Sequence, residues 1–303
     1  MRVERPSVPS HHARASSAAG AGRKLMGEPG RPEPHRPRYV DSPSNPRVKK
    51  LVALRRRRER ESSGSFVVEG RDELSMAIES GARISELYFC PALSDERDRR
   101  ELFAKLPLPG VELVEMSREA FERASYRQGP DGWMAVVEGI GSGLEELAIG
   151  TEPLILVCDA LEKPGNLGAL LRTAEATGVD AVIAADPVTD WGNPNLVRAS
   201  KGTVFSVPVA SGATLDVIGW LARRGVGIVA ATPEGGVPFT GCDLRGPVAI
   251  AVGSESSGLG GPWLEAARTR ATLPMFGRVN SLNVSVSAAV LLFEALRQRG
   301  RLG

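Results

Sequence analysis

The chain has 303 residues and a formal net charge of +2, enough length for two domains and a buried core. Its three cysteines (Cys90, Cys158, Cys242) are widely spaced, and its three histidines (His11, His12, His35) all lie near the N-terminus. The body therefore has no disulfide framework, no Ser-His-Asp or Cys-His centre and no His-ligated metal. No apolar run approaches the roughly 18 residues of a membrane helix. The first 25 residues carry Arg and Ser without the apolar stretch of a secretory signal. That composition leaves open an organellar transit peptide or a true start at Met26; a reducing, cytoplasmic setting is expected.

Residues 1–45 are rich in Pro, Ser, Gly and Arg without periodicity and read as a disordered basic tail. Residues 1–60 hold 16 Lys/Arg against 5 Asp/Glu, whereas 61–303 hold 22 against 31. A solvated tail and a phosphate-attracting segment both fit this asymmetry; Arg55 to Arg58 adjoin a segment that reads as folded, which favours RNA contact. From Asn45 to Arg60 the run NPRVKKLVALRRRRER predicts one capped helix with Val48, Leu51, Val52 and Leu54 on its apolar side. Strands at 66–70, 86–90, 111–116 and 134–139 then alternate with helices at 72–80, near 95–105 and at 118–125. Such alternation makes a small α/β domain over about 46–140. Residues 141–152, polar and glycine-bearing, read as a linker. Beyond them LILVCD (154–159), DAVIAA (180–185), VGIVAA (226–231) and VAIAVG (248–253) are continuous apolar strands separated by helices. They predict a second α/β domain, 153–303, with a parallel sheet covered on both faces.

Three stretches of that second domain carry candidate chemistry. In KPGNLGALLRTAEATG (163–178), Asn166, Gly168 and Arg172 follow a Pro-Gly turn and enter a helix. The Arg is suited to a phosphate through its planar fork; a capping Asn and a surface Arg are the plainer alternative. In GSESSGLG (253–260) the glycines permit close approach of backbone to a ligand. The loop lacks the Lys-Ser/Thr of a P-loop and does not fit G-x-G-x-x-G, so nucleoside triphosphate hydrolysis and dinucleotide binding are poor readings. In LPMFGRVNSLNVS (273–285), Pro274, Gly277, Asn280, Ser281 and Asn283 crowd loop chemistry directly before an apolar-faced helix starting at Val284. Ser281 or Asn283 is expected to cap that helix, and loop plus helix start make a place to hold a ligand.

In order and spacing these stretches resemble the three motifs of the SpoU/TrmH family of RNA ribose 2′-O-methyltransferases, within the SPOUT superfamily, over about residues 150–300. The resemblance implies a C-terminal α/β domain with a trefoil knot, a preceding L30e-like RNA substrate-binding domain at 46–140, and a homodimer whose partner subunit helps complete the site. It implies S-adenosylmethionine as methyl donor and no metal. It assigns Thr232, Gly253, Leu273 and Leu282 to the cofactor, and Arg172, Asn166, Glu255, Ser281 and Asn283 to the reaction centre. Thr232 fits a turn residue equally well. A guanidinium is a poor base because its pKa exceeds roughly 12, so Arg172 is expected to stabilise a developing alkoxide and the adjacent phosphate. Methylation of a base would need a carboxylate proton acceptor, for which Glu255 is the motif residue available. Between the first two motifs, Arg198, Ser200 and Lys201, and more weakly Asn195, are candidates for RNA phosphate or simple surface charge. A 23S-type ribosomal RNA is the preferred substrate; a transfer RNA, or a catalytically silent RNA-binding assembly factor of the same fold, is the alternative.

Overall fold

Five strands with apolar residues on both faces build the first sheet. In the computed structural model, which describes residues 37–106, 110–254 and 257–302, they are β1 (Arg38–Val40), β2 (Ser65–Glu69), β3 (Arg83–Phe89), β4 (Glu112–Met116) and β5 (Trp133–Glu138). They lie in the order β1-β4-β3-β5-β2; β4 is parallel to β1 and β3, whereas β5 runs antiparallel to β3 and β2. Side chains point alternately to opposite faces. One face packs Tyr88, Val114, Met134 and Val136 beneath α1 (Pro46–Ala53) and α5 (Arg118–Ala124). The other packs Phe66, Leu87, Phe89 and Trp133 with Leu74 of α3 (Arg71–Glu79) and Leu102 of α4 (Glu96–Lys105).

Two expectations change here. β1 lies inside the segment read as a disordered tail: Val40 is buried and the strand pairs with β4, a partner too distant in sequence for local composition to reveal. Residues 1–36 lie outside the described residues. The single helix expected over 45–60 is broken after Ala53. Arg56 is extended (φ −87°, ψ 133°) and a second helix, α2 (Arg57–Ser63), follows it, with Arg60 buried.

The second sheet contains β6 (Leu154–Asp159), β7 (Ala181–Ala185), β8 (Val209–Gly212), β9 (Gly227–Ala231), β10 (Val237–Pro238), β11 (Val248–Val252) and β12 (Thr269–Thr272). Its order is β10-β12-β9-β11-β6-β7-β8, and every pairing is parallel, as the unbroken apolar runs predict. One face packs Leu156, Cys158 and Ile250 against Leu170 of α6 (Pro164–Thr177) and Leu291 of α10 (Val284–Gln298). The opposite face packs Ile155, Val157 and Ala251 against Trp220 of α8 (Thr214–Arg223) and Trp263 of α9 (Gly261–Ala266); α7 (Pro194–Ala199) lies beside α6. β8, β10 and β12 were not legible as strands because they are short and carry little apolar character (VASG, VP, TRAT). The end of α10 is tied down by Gln298, which accepts from Leu244 N and donates to Cys242 O, both at 2.9 Å.

The two sheets share one apolar cluster. Across the seam, Phe66 stacks on Phe205 with ring centroids 6.0 Å apart. Glycines mark where the surfaces touch: a Cβ on Gly192 would lie 2.8 Å from Phe66 Cγ, and one on Gly202 2.8 Å from Met76 Cβ. Arg60, 5% exposed, donates to both carboxylate oxygens of Asp190 and to the carbonyls of Leu54 and Arg55. The buried charge is therefore fully partnered. The 141–152 segment runs along the sheet edge, with Ser142 N bonded to Val209 O at 3.0 Å and Leu147 buried.

Candidate active site

A cleft of about 830 Å³ opens at the carboxyl ends of β9, β11 and β12, the end at which open parallel sheets bind ligands. Thr232, Gly253, Leu273, Ser281, Leu282 and Asn283 all line it. The sheet topology thus brings the second and third motifs together around one space.

Each residue has a local reason for its place. β9 ends at Ala231, and Thr232 continues the ladder by donating its N–H to Ala271 O at 2.9 Å. Among the described residues its buried hydroxyl Oγ1 has no hydrogen-bond partner, as is also true of Thr272 Oγ1, and a ligand can supply one. The loop after β11 folds back on itself: Gly258 N donates to Ser254 O at 2.9 Å, Gly258 adopts φ +68°, and the Ser254 and Ser257 hydroxyls bond at 2.7 Å. A Cβ on Gly253 would collide with the carbonyl of Gly258. The glycine is thus demanded first by its own loop, not by approach to a ligand. Glu255 lies outside the described residues.

Asn283 is the N-cap of α10. Its Oδ1 accepts from Ser285 N at 3.0 Å and Ser285 Oγ at 2.6 Å. That directs the amide nitrogen away from the helix, where Nδ2 donates to Oδ1 of Asn166 at 3.2 Å. Capping and site geometry are one arrangement, and it joins the first motif to the third. Asn166 itself is not a cap: α6 is preceded by Lys163 and begins at Pro164, so Asn166 falls in its first turn. Gly168 permits α6 to touch α7, since a Cβ there would lie 2.5 Å from Ala199 Cβ. Arg172 is exposed and does not line the cleft; six residues at 1.5 Å rise place it about 9 Å along α6 from Asn166. A single chain brings the Asn of the first motif to the site and leaves its Arg outside.

Sequence reasoning missed three contributors. Asp159, at the end of β6, is buried; it accepts from Gly260 N and Thr214 Oγ1, both at 3.2 Å, and so fixes the end of the glycine loop. Glu234 and Arg270 supply the charge of the cleft among the described residues. Glu234 stood in plain view within AATPEGG, whereas Arg270 belongs to a strand that periodicity did not reveal.

The other RNA-contact candidates divide. Ser200 is fully buried and donates to Val197 O at 2.9 Å, so it does not face RNA. Asn195 donates across the seam to the Tyr126 hydroxyl at 3.1 Å. Arg55 donates to the carbonyls of Ala124 and Ser125 at the end of α5, and Arg57 to Val188 O and Glu61. Arg56, Arg58, Arg198 and Lys201 are exposed. All three cysteines are buried free thiols, and burial pushes each upward in pKa. Among the described residues no three His, Cys, Asp or Glu side chains converge as a metal centre requires, and no helix is long and apolar enough to cross a membrane.

Residues 153–293 match the SpoU rRNA Methylase family and residues 45–135 the MRM3-like substrate binding domain. The 23S rRNA (guanosine-2′-O-)-methyltransferase RlmB of Ralstonia nicotianae is 34% identical, over 78% of this chain and 97% of its own. The chain belongs to the SpoU methylase family. Another relative, the 23S rRNA (guanosine(2553)-2′-O)-methyltransferase RlmP of Bacillus subtilis, is 27% identical over 84% of this chain and 98% of its own. A solved RNA 2′-O ribose methyltransferase is 39% identical with a TM-score of 0.75, covering 86% of this SpoU-family chain and 99% of its own. An AdoMet-bound rRNA methyltransferase from Sinorhizobium meliloti is 30% identical with a TM-score of 0.79, at 86% and 97% coverage. The family and its cofactor-bound neighbours support S-adenosylmethionine as the ligand of this fold.

Proposed function

We propose that this SpoU-family chain transfers a methyl group from S-adenosylmethionine to a ribose 2′-hydroxyl of 23S-type ribosomal RNA. The observation that carries the reading is the convergence of five motif residues and Thr232 on one cleft, with Asn283 reaching back to Asn166. The cleft suits the donor: Leu273, Leu282 and Leu259 offer apolar surface for a purine, and the buried Thr232 hydroxyl lacks a partner that a ligand can supply. Bound there, the donor supplies a methyl group already activated on a sulfonium. The 2′-oxygen bonds to the methyl carbon as the carbon–sulfur bond breaks, its electron pair leaves with sulfur as a neutral thioether, and the hydroxyl proton passes to solvent. The task left to the protein is alignment. Asn166, Ser281 and Asn283 orient the hydroxyl, Glu255 orders the loop, and Arg172 stabilises charge developing on the oxygen and the neighbouring phosphate.

Arg172 stands outside the cleft of its own chain, so we assign it to the site of a second copy in a homodimer. Exposed apolar side chains on α10, Val286 and Phe293, support this, as one helix face left without a partner. The region 46–140 is read as the RNA substrate-binding domain, the trefoil knot of the resembling family goes with the same reading, and the protein works in the cytoplasm without a metal.

Alkaline hydrolysis of ribosomal RNA after incubation with protein and donor tests the assignment. One blocked phosphodiester is expected, because a 2′-O-methyl group removes the nucleophile that cleaves the backbone. Methyl incorporation with an unbroken ladder of cleavage products would move the methyl to a base. Incorporation into transfer RNA alone would replace the substrate.

A further inference from the structure

The described lining of the cleft contains one carboxylate, Glu234, and one guanidinium, Arg270, and neither has a role in the motifs. Their placement shares one support. Arg270 lies on β12, where Ala271 turns into the α6/α10 side of the core and Arg270 therefore faces the α8/α9 side. There its Nη2 donates to Leu264 O at 3.2 Å, a carbonyl in the last turn of α9 that has no partner within the helix. One nitrogen anchors the fork and the remaining donors are left over. Glu234 sits in the turn after β9, and that turn is seated on the same strand. A Cβ on Gly236 would lie 2.5 Å from Arg270 O and 2.6 Å from Thr272 Oγ1. Glu234 has no hydrogen bond or ion pair among the described residues, and it is not paired with Arg270.

Two opposite charges held on one support, facing one cleft and unpaired with each other, match a zwitterion. A planar guanidinium recognises a carboxylate through parallel hydrogen bonds, and a carboxylate accepts from an ammonium group. We infer that Arg270 takes the α-carboxylate and Glu234 the α-ammonium of the methyl donor's amino-acid end, holding the tail while the apolar wall takes the purine. The inference rests on the donor reading above and deepens it: these two residues are specificity determinants for the tail, not for the reacting methyl.

Calorimetric titration of the full chain separates the two. S-adenosylhomocysteine keeps the tail, and 5′-methylthioadenosine is a nucleoside thioether without it. The unaltered chain is expected to bind the first at least tenfold more tightly than the second. Arg270→Ala and Glu234→Gln should each weaken S-adenosylhomocysteine about tenfold, as loss of a charge-assisted bond does, and leave 5′-methylthioadenosine within twofold. Retained binding of the tailless compound also shows that each variant is folded. Unchanged S-adenosylhomocysteine affinity in either variant overturns the inference. So does an equal loss for both compounds, which would mark a collapsed cleft. If the unaltered chain binds neither compound, the donor reading itself fails and this inference with it.

Discussion

The seam between the two sheets and the cleft at the end of the second sheet are built on opposite principles. At the seam, ring stacks on ring, glycines stand where no Cβ fits, and the buried guanidinium of Arg60 finds an acceptor for each donor that meets protein. At the cleft, among the described residues, Thr232 keeps a buried hydroxyl without a partner, the exposed Glu234 has no ion pair, and Phe276 in the third-motif loop is 98% exposed. A buried polar group left unsatisfied costs about 1–3 kcal/mol. At the cleft such a cost stands where a ligand can repay it; at the seam Arg60 is spared it and Glu73 bears it. The contrast separates residues whose loss unfolds the protein from residues whose loss silences it.

The largest effect expected falls on the functional side. Arg172→Ala should lower methyl transfer by about 10²–10³-fold, the scale of removing one preorganised donor to a developing oxyanion. Donor binding and urea midpoint should stay unchanged; full activity in that variant would remove Arg172 from the reaction. On the structural side, Arg60→Ala leaves Asp190 and two carbonyls unpaired at the seam. A loss of about 3 kcal/mol in urea unfolding is expected, with donor affinity of the folded fraction intact. Gly253→Ala tests a residue that belongs to both sides, because its loop closes on the Gly258 carbonyl. Stability should fall by about 1–3 kcal/mol and donor binding should fall with it; a loss of stability alone would show that the loop does not shape the cleft.

The smallest effect concerns Glu73, 2% exposed at the seam with Oε1 unpartnered and Arg127 Nη1 3.9 Å from Oε2. Burial raises its pKa, and the nearby Arg127 and Lys201 only partly oppose this. The folded carboxyl therefore keeps its proton at pH values where the unfolded chain has lost it. Stability from this group falls as pH rises from the ordinary value of 4.5 through the raised one, and the penalty is constant above. Glu73→Gln should stabilise the protein at neutral pH by about 1 kcal/mol or less, and the gain should shrink to nothing as pH falls below about 4. Equal melting curves at pH 7 would show that Arg127 and Lys201 already offset the burial.

Local pattern was enough for much of this molecule. The four unbroken apolar runs from LILVCD to VAIAVG define a parallel sheet because a strand covered on both faces has no polar side to display. The order of three motifs singled out two loops that meet at one cleft, and Asn283 stood with Ser281 as a cap candidate before Val284. Tertiary structure decided the rest. β1, β8, β10 and β12 exist because distant strands offer them partners; Ser200 is buried and Arg172 lies outside the cleft because of how α6 and α7 pack. Periodicity reports only which side of its own axis a segment buries. Whether Glu234 and Arg270 face one cleft depends on the crossover that sets β12 beside β9, and that is a property of the sheet's order, not of any stretch of chain.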